Sequence, residues 1–196
     1  MSLEIREQIL QEAQDQLRKG GYDSLNFTKI GESVNTSRAN MHHHFKNKEG
    51  LAIAATESFI KEGMSFIYSL EARKPGDFPN FLKELETEML AHIKESGRGC
   101  PCICSQIIQD ANVPPSLLKV AMDHFDFKHQ FMMDLIKKSQ KNNKINPNVK
   151  PEFLANTTRA LILGISQIAS LHDSGKDFSK SVKGVLTGWI KNYQVS

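Results

Sequence analysis

The chain has 196 residues, 39% hydrophobic and 24% charged, with a mean hydropathy of −0.40, which is room for one domain or two small ones and excludes a disordered or fibrous chain. A membrane-spanning helix needs about 20 apolar residues in a row. The most apolar stretch, 154–171, is broken by Asn156, Thr157, Thr158, Arg159, Ser166 and Gln167. The opening Met1-Ser2-Leu3-Glu4-Ile5-Arg6 lacks the basic, apolar and small-residue succession of a secretory leader, so a cytoplasmic protein is expected. A formal charge of +3 favours no class of partner by itself, and three cysteines within 100–104 cannot make a disulfide framework.

Helical periodicity runs through the whole chain. Ile5, Ile9, Leu10, Ala13 and Leu17 predict a first helix that Gly20-Gly21 stops. Asn26 is placed to cap a short second helix with Phe27, Ile30 and Val34 inward. Asn35-Thr36-Ser37 then makes a tight turn into a third helix over 37–45, with Met41 and Phe45 on its buried side. Asn47 caps a long helix that continues to about Arg73, and Lys74-Pro75-Gly76-Asp77 turns the chain.

The stripe Phe78, Phe81, Leu82, Leu85, Met89, His92, Ile93 predicts the next helix, stopped by Gly97-Arg98-Gly99. A shorter element follows over 100–110. After Pro114-Pro115 the longest stripe runs from Leu118 to Ile136, and a further helix spans about 152–172. Its Ala160-Leu161-Ile162-Leu163 points apolar side chains all around the axis, so it is expected to be covered on more than one side. The last helix, about 178–193, sets Ser181, Gly184 and Gly188 along one face. A mid-helix glycine costs roughly 1 kcal/mol relative to alanine, so this stripe predicts close approach of another helix. The fold class is all-α, with about nine helices: about 50 residues of small helices, then a larger bundle.

Two short helices joined by a tight turn, the second opening on Ser37-Arg38-Asn40, describe a helix-turn-helix. At about 100° per residue, Ala39 and His43 face away from Met41 and Phe45, flanked by Asn40 and His42. Residues 28–48 hold Lys29, Arg38, Lys46 and Lys48 against Glu32, so the chain's net positive charge is matched by one short segment. Such a face suits base edges and phosphates. Successive histidines at 42–44 diverge around the helix and do not converge on a metal, and no cofactor signature is present.

Gly21-Tyr22-Asp23-Ser24-Leu25-Asn26-Phe27-Thr28-Lys29-Ile30-Gly31 and Ser37-Arg38-Ala39-Asn40-Met41-His42-His43-His44-Phe45-Lys46-Asn47-Lys48-Glu49-Gly50-Leu51 resemble the N-terminal domain of TetR-family transcriptional regulators, in order and without a gap. Asn35, Gly31, Thr36 and His42 stand where the family usually has Gly, Ala, Val and Tyr. The resemblance implies a DNA-binding domain over 1–50 and a ligand-binding, dimerising domain over 51–196. By position it implies DNA contacts from Thr28, Ser37, Arg38, Ala39, Asn40, His42, His43, His44 and Lys48, with Thr28 and Lys48 on phosphates.

It further implies a homodimer on a palindromic operator, released as a repressor when a small organic effector tilts the helix 47–73. Candidate effector contacts are Met64, Phe66, Met89, His92, Cys102, Phe125, His129 and Met132, an adaptable apolar set with one or two polar groups. Candidate dimer contacts are Leu161, Gly164, Ile168, Ser181, Gly184 and Gly188. Cys100, Cys102 and Cys104 admit an oxidant- or electrophile-sensing alternative, which needs a lowered thiol pKa. A second alternative is an all-α enzyme or small-molecule binding protein without a DNA role. The sequence offers that reading no nucleophile with a base, no carboxylate pair at motif spacing and no phosphate loop, so no enzyme is expected.

Overall fold

In the computed structural model, which describes residues 3–96, 102–171 and 175–195, the chain folds into ten helical segments. They are α1 (Leu3–Gly20), α2 (Phe27–Ser33), α3 (Arg38–Phe45), α4 (Lys48–Arg73), α5 (Phe78–Ser96), α6 (Ile103–Gln109), α7 (Pro115–Lys141), α8 (Pro151–Ser170), α9 (Gly175–Ser181) and α10 (Val185–Lys191). Among the described residues the only extended pairing is an isolated bridge between Ile145 and Gln194. The fold is all-α.

The residues expected to start and stop the first helices do so. Gly21 follows α1 with φ +65°, a conformation that costs glycine little. Asn26 Oδ1 accepts from the Lys29 amide at 3.0 Å, Ser37 Oγ from the Asn40 amide at 3.1 Å, and Asn47 Oδ1 from the Gly50 amide at 2.8 Å. Each satisfies an amide that the helix itself leaves unpaired. Asn35, at φ 53°, makes the left-handed step of the turn between α2 and α3.

The chain divides into two compact units, residues 1–63 with 102–125, and 64–101 with 126–196. In the first, Ile9, Leu17, Ile30, Met41, Phe45 and Leu51 share one buried core with Ile103, Cys104, Ile107, Leu117 and Ala121. The unit that holds residues 1–50 therefore takes in part of α4, all of α6 and the start of α7. The reason is physical: α1 packs on α6 as well as α2, and three helices this short cannot bury enough apolar surface alone.

The second unit has its own core, with Leu70, Phe78, Phe81, Leu82, Ile136, Leu154, Leu186 and Ile190 among its most buried members. Each such side chain contributes about 1.5–3 kcal/mol when fully buried. Several polar groups within it are paired, although Thr158 Oγ1 and His129 Nδ1 are buried without a hydrogen-bond partner among the described residues. The Phe78 amide donates to Ser139 Oγ at 2.8 Å, and buried Glu86 accepts from the Leu186 amide at 2.8 Å and the Thr187 hydroxyl at 2.7 Å.

One predicted element needs correction. The helix expected over 178–193 is two segments, α9 and α10, because Gly184 sits at φ +87° and breaks the helical ladder. Ser181, Gly184 and Gly188 are thus not a stripe along one continuous helix. With α9 and α10 counted as one interrupted helix, the expected nine are present. The predicted stop of α5 at Gly97-Arg98-Gly99, and Cys100 and Pro101, lie outside the described residues.

Candidate nucleic-acid interface and ligand cleft

Met41 and Phe45, 1% and 4% exposed, fix α3 to the first unit's core and so decide which residues face outward. Ser37, Arg38, Ala39, His42, His43 and His44 are all exposed, as is Thr28 on α2, while Asn40 is half-buried with its amide donating to Thr36 Oγ1 at 2.7 Å. His42 Nδ1 lies 2.6 Å from the Lys46 carbonyl oxygen, so that nitrogen carries the proton. Its Nε2 then accepts from Arg38 Nε at 3.4 Å, and its ring stands 5.0 Å from Phe27. Arg38 is held along the outer surface of α3.

His44 is kept below the ordinary histidine value, first by partial desolvation and then by the neighbouring charges of His43 and Arg6. Lys29 and Lys46 are further exposed cations that sequence reasoning counted as charge without assigning a contact. Gly31 explains its departure from the usual alanine: a Cβ there would lie 3.0 Å from Met41 Cγ, so glycine makes room for the methionine.

Lys48 has partners within the protein. Its ammonium donates to the Asp23 carbonyl at 3.3 Å and lies 4.5 Å from the centre of the Tyr22 ring. It therefore ties α4 to the turn after α1. The same turn is gripped from the other side by Asp110, just beyond α6, whose carboxylate accepts from the Asp23 amide at 3.0 Å and the Asn112 amide at 2.9 Å. Desolvation pushes the Asp110 carboxyl up, but these amides and the charge of Lys48 outweigh it and hold it below the usual value. Tyr22 goes the other way, raised by burial and by the charges of Glu49, Asp23 and Asp110.

The second unit contains an open cleft of about 470 Å³ lined by Phe66, Glu88, Met89, Ala91, His92, Ile93, Glu95 and Ser166. It brings together Phe66, Met89 and His92 of the predicted effector set. Met132 is buried in the core of that unit, and half-buried Met64 and His129 do not line the cleft. Cys102 and Phe125 pack against the core of the first unit instead, because α6 and the start of α7 belong to it. Glu88 and Glu95, which sequence reasoning missed, share a face of α5 with His92; their spacing of four and three residues is the signal that could have found them.

Of the predicted dimer contacts, Leu161 and Gly164 are half-buried, Ile168 is 50% exposed, Ser181 and Gly188 are exposed and Gly184 is half-buried. A methyl group added at Gly164 or Gly188 would meet nothing within 4 Å. At 100° per residue, Phe153, Ala160, Gly164, Ile168 and Leu171 fall on one side of α8 and its C-terminal end. Phe153, Ile168 and Leu171 are large apolar side chains left in the open. No helix among the described residues is long and apolar enough to cross a membrane.

Residues 9–55 match the family model for bacterial regulatory proteins of the tetR family. No curated protein is similar to the chain in sequence. Among solved structures, a TetR-family transcriptional regulator from Agrobacterium tumefaciens is similar at a TM-score of 0.83, with 19% identity over 98% of each chain. The reduced form of NemR from E. coli is similar at 0.76, with 14% identity over 92% of this chain and 96% of the other. A putative transcriptional regulator from Saccharomonospora viridis in complex with choline is similar at 0.68, with 20% identity over 97% of each. At such identities the likeness is one of fold. Residues 9–55 thus carry a match to the tetR family of bacterial regulatory proteins, and the fold is shared along nearly the whole chain with solved regulators of this kind.

Proposed function

We propose that the chain is a dimeric, effector-responsive repressor that binds a palindromic operator through α3. The observation that carries this reading is the outward face of α3: Arg38, Ala39, His42 and His43 are exposed together on a helix anchored by Met41 and Phe45 and capped by Ser37. A helix of this kind enters the major groove, with base contacts from its first turns and phosphate contacts at its edges. Arg38, Ala39, Asn40, His42 and His43 take the base-facing role and Thr28, Ser37 and His44 the edge. Lys29 and Lys46 replace Lys48 as the mobile cations for phosphate, since Lys48 already has partners.

Eight residues of helix read few bases, so two copies on two half-sites are needed for a selective operator. The apolar side of α8, with Gly164 and Gly188 leaving open space, supports a two-fold contact between copies. The effector occupies the cleft. Phe66 belongs to α4, the same helix that begins at Lys48, so an occupant favouring one disposition of α4 shifts the population between DNA-competent and incompetent states. The Saccharomonospora viridis relative binds a small organic molecule, which supports an effector of that size here. The cysteine-sensing alternative is weaker, because Cys104 is fully buried and only Cys102 of the described pair is partly exposed.

The test is selection of bound duplexes from random DNA, followed by affinity measurements at rising salt. A palindromic site whose affinity falls steeply with salt is expected, and Arg38→Ala should lower that affinity about tenfold or more. Failure to enrich any duplex at low salt overturns the DNA-binding reading.

A further inference from the structure

The cleft of the second unit has a composition that selects by charge. Its apolar walls are Phe66, Met89, Ala91 and Ile93, and its charged groups are the carboxylates of Glu88 and Glu95; no lysine or arginine lines it among the described residues. Glu88 receives Arg73 Nη2 at 3.0 Å, and Arg73 also donates to Glu84 at 2.6 Å, so that carboxylate is partly balanced from outside the cleft. Glu95, exposed on the same side of α5, is paired with no arginine among the described residues. Phe66 is 39% exposed and offers its ring to an occupant.

We infer that the effector is a compact organic cation with an apolar body, an alkylammonium or aromatic ammonium compound. The inference rests on reading the cleft as the effector site. An occupant large enough to seal the opening removes water from Glu95. A neutral molecule leaves that desolvation uncompensated, and an anion adds repulsion to it. A cation offsets it twice, by attraction to the carboxylates and by contact with the negative face of the Phe66 ring. Met89 adds a polarisable wall that adapts to varied alkyl groups.

The test uses three probes built on one benzyl group: benzyltrimethylammonium, the neutral dimethylbenzylcarbinol of nearly the same shape, and the anionic phenylacetate, titrated calorimetrically against the full-length protein. The cation is expected to bind about tenfold tighter than the carbinol, with phenylacetate weakest. In Glu95→Gln the cation should lose about threefold to fivefold while the carbinol is unchanged, and Phe66→Leu should narrow the same gap. Equal or tighter binding of the carbinol or phenylacetate overturns the inference, as does cation affinity indifferent to Glu95→Gln. Binding of none of the three by a protein that still binds its selected duplex also overturns it, while leaving the regulator reading standing. Absence of duplex binding strikes that reading separately.

Discussion

A methyl group at position 50 would lie 2.2 Å from the carbonyl oxygen of Phe45, the last residue of α3, and backbone cannot yield as a flexible side chain can. Ordinarily a glycine near the start of a helix is improved by alanine, by up to roughly 1 kcal/mol. Here the sign reverses. Gly50→Ala must push α3 away from α4 or distort the Asn47 cap, so it should destabilise the protein by about 1–3 kcal/mol, the usual cost of overpacking. That is a fall of several degrees in Tm for a chain of this size, measured by circular dichroism. Duplex affinity should fall with it, because α3 carries the candidate base contacts. Unchanged or raised Tm would show that the junction between α3 and α4 is looser than the geometry says.

Two elements far apart in sequence, the turn after α1 and the end of α6, are joined by one carboxylate. Asp110 binds the amides of the turn only while ionised at full strength, and its folded pKa is depressed. The stabilisation is therefore complete above the ordinary aspartate value and is lost as the pH falls through the lower folded value. The Tm gap between the protein and Asp110→Asn should be widest near neutrality and should close below about pH 4. A gap that stays constant into acid would mean that the carboxylate charge contributes nothing.

This joint also shows what was legible in the sequence and what was not. Asn26, Ser37 and Asn47 cap by contacts within three residues, and Met41 and Phe45 face inward by helical period, so local rules suffice for the helix-turn-helix. The partners of Lys48, Asp23 and Tyr22, lie some 25 residues back, beyond the reach of local rules. Gly184 reads as a helix interior by spacing and ends a helix by its φ, which no pattern of apolar residues reveals. Cys102 and Phe125 lie on apolar stripes like the residues of the cleft, and periodicity alone cannot say which core a stripe joins.

For the whole molecule, the modest charge of +3 takes its weight, on the proposed reading, from the pairing of two chains. On that reading, Arg38 of α3, with Lys29 of α2 and Lys46 just beyond α3, would meet a single half-site; two copies would double that set and confine the second half-site to the first, an effective-concentration gain of about 10² to 10⁴ in affinity. The side of α8 bearing Ile168 and Leu171, 50% and 82% exposed, is the surface proposed to supply the pairing. Two carboxylates placed there would meet their own copies across a two-fold axis, where burial of like charges is costly. Ile168→Glu with Leu171→Glu should therefore sediment as a monomer at micromolar concentration, keep the wild-type helical content because neither side chain supports the monomer core, and bind the selected operator about a hundredfold more weakly. Its affinity for an isolated half-site should be unchanged. If the variant still sediments as a dimer, pairing runs through another surface. If the wild type is monomeric and binds its operator fully, the operator is read by one copy, and the role given to α8 falls with it.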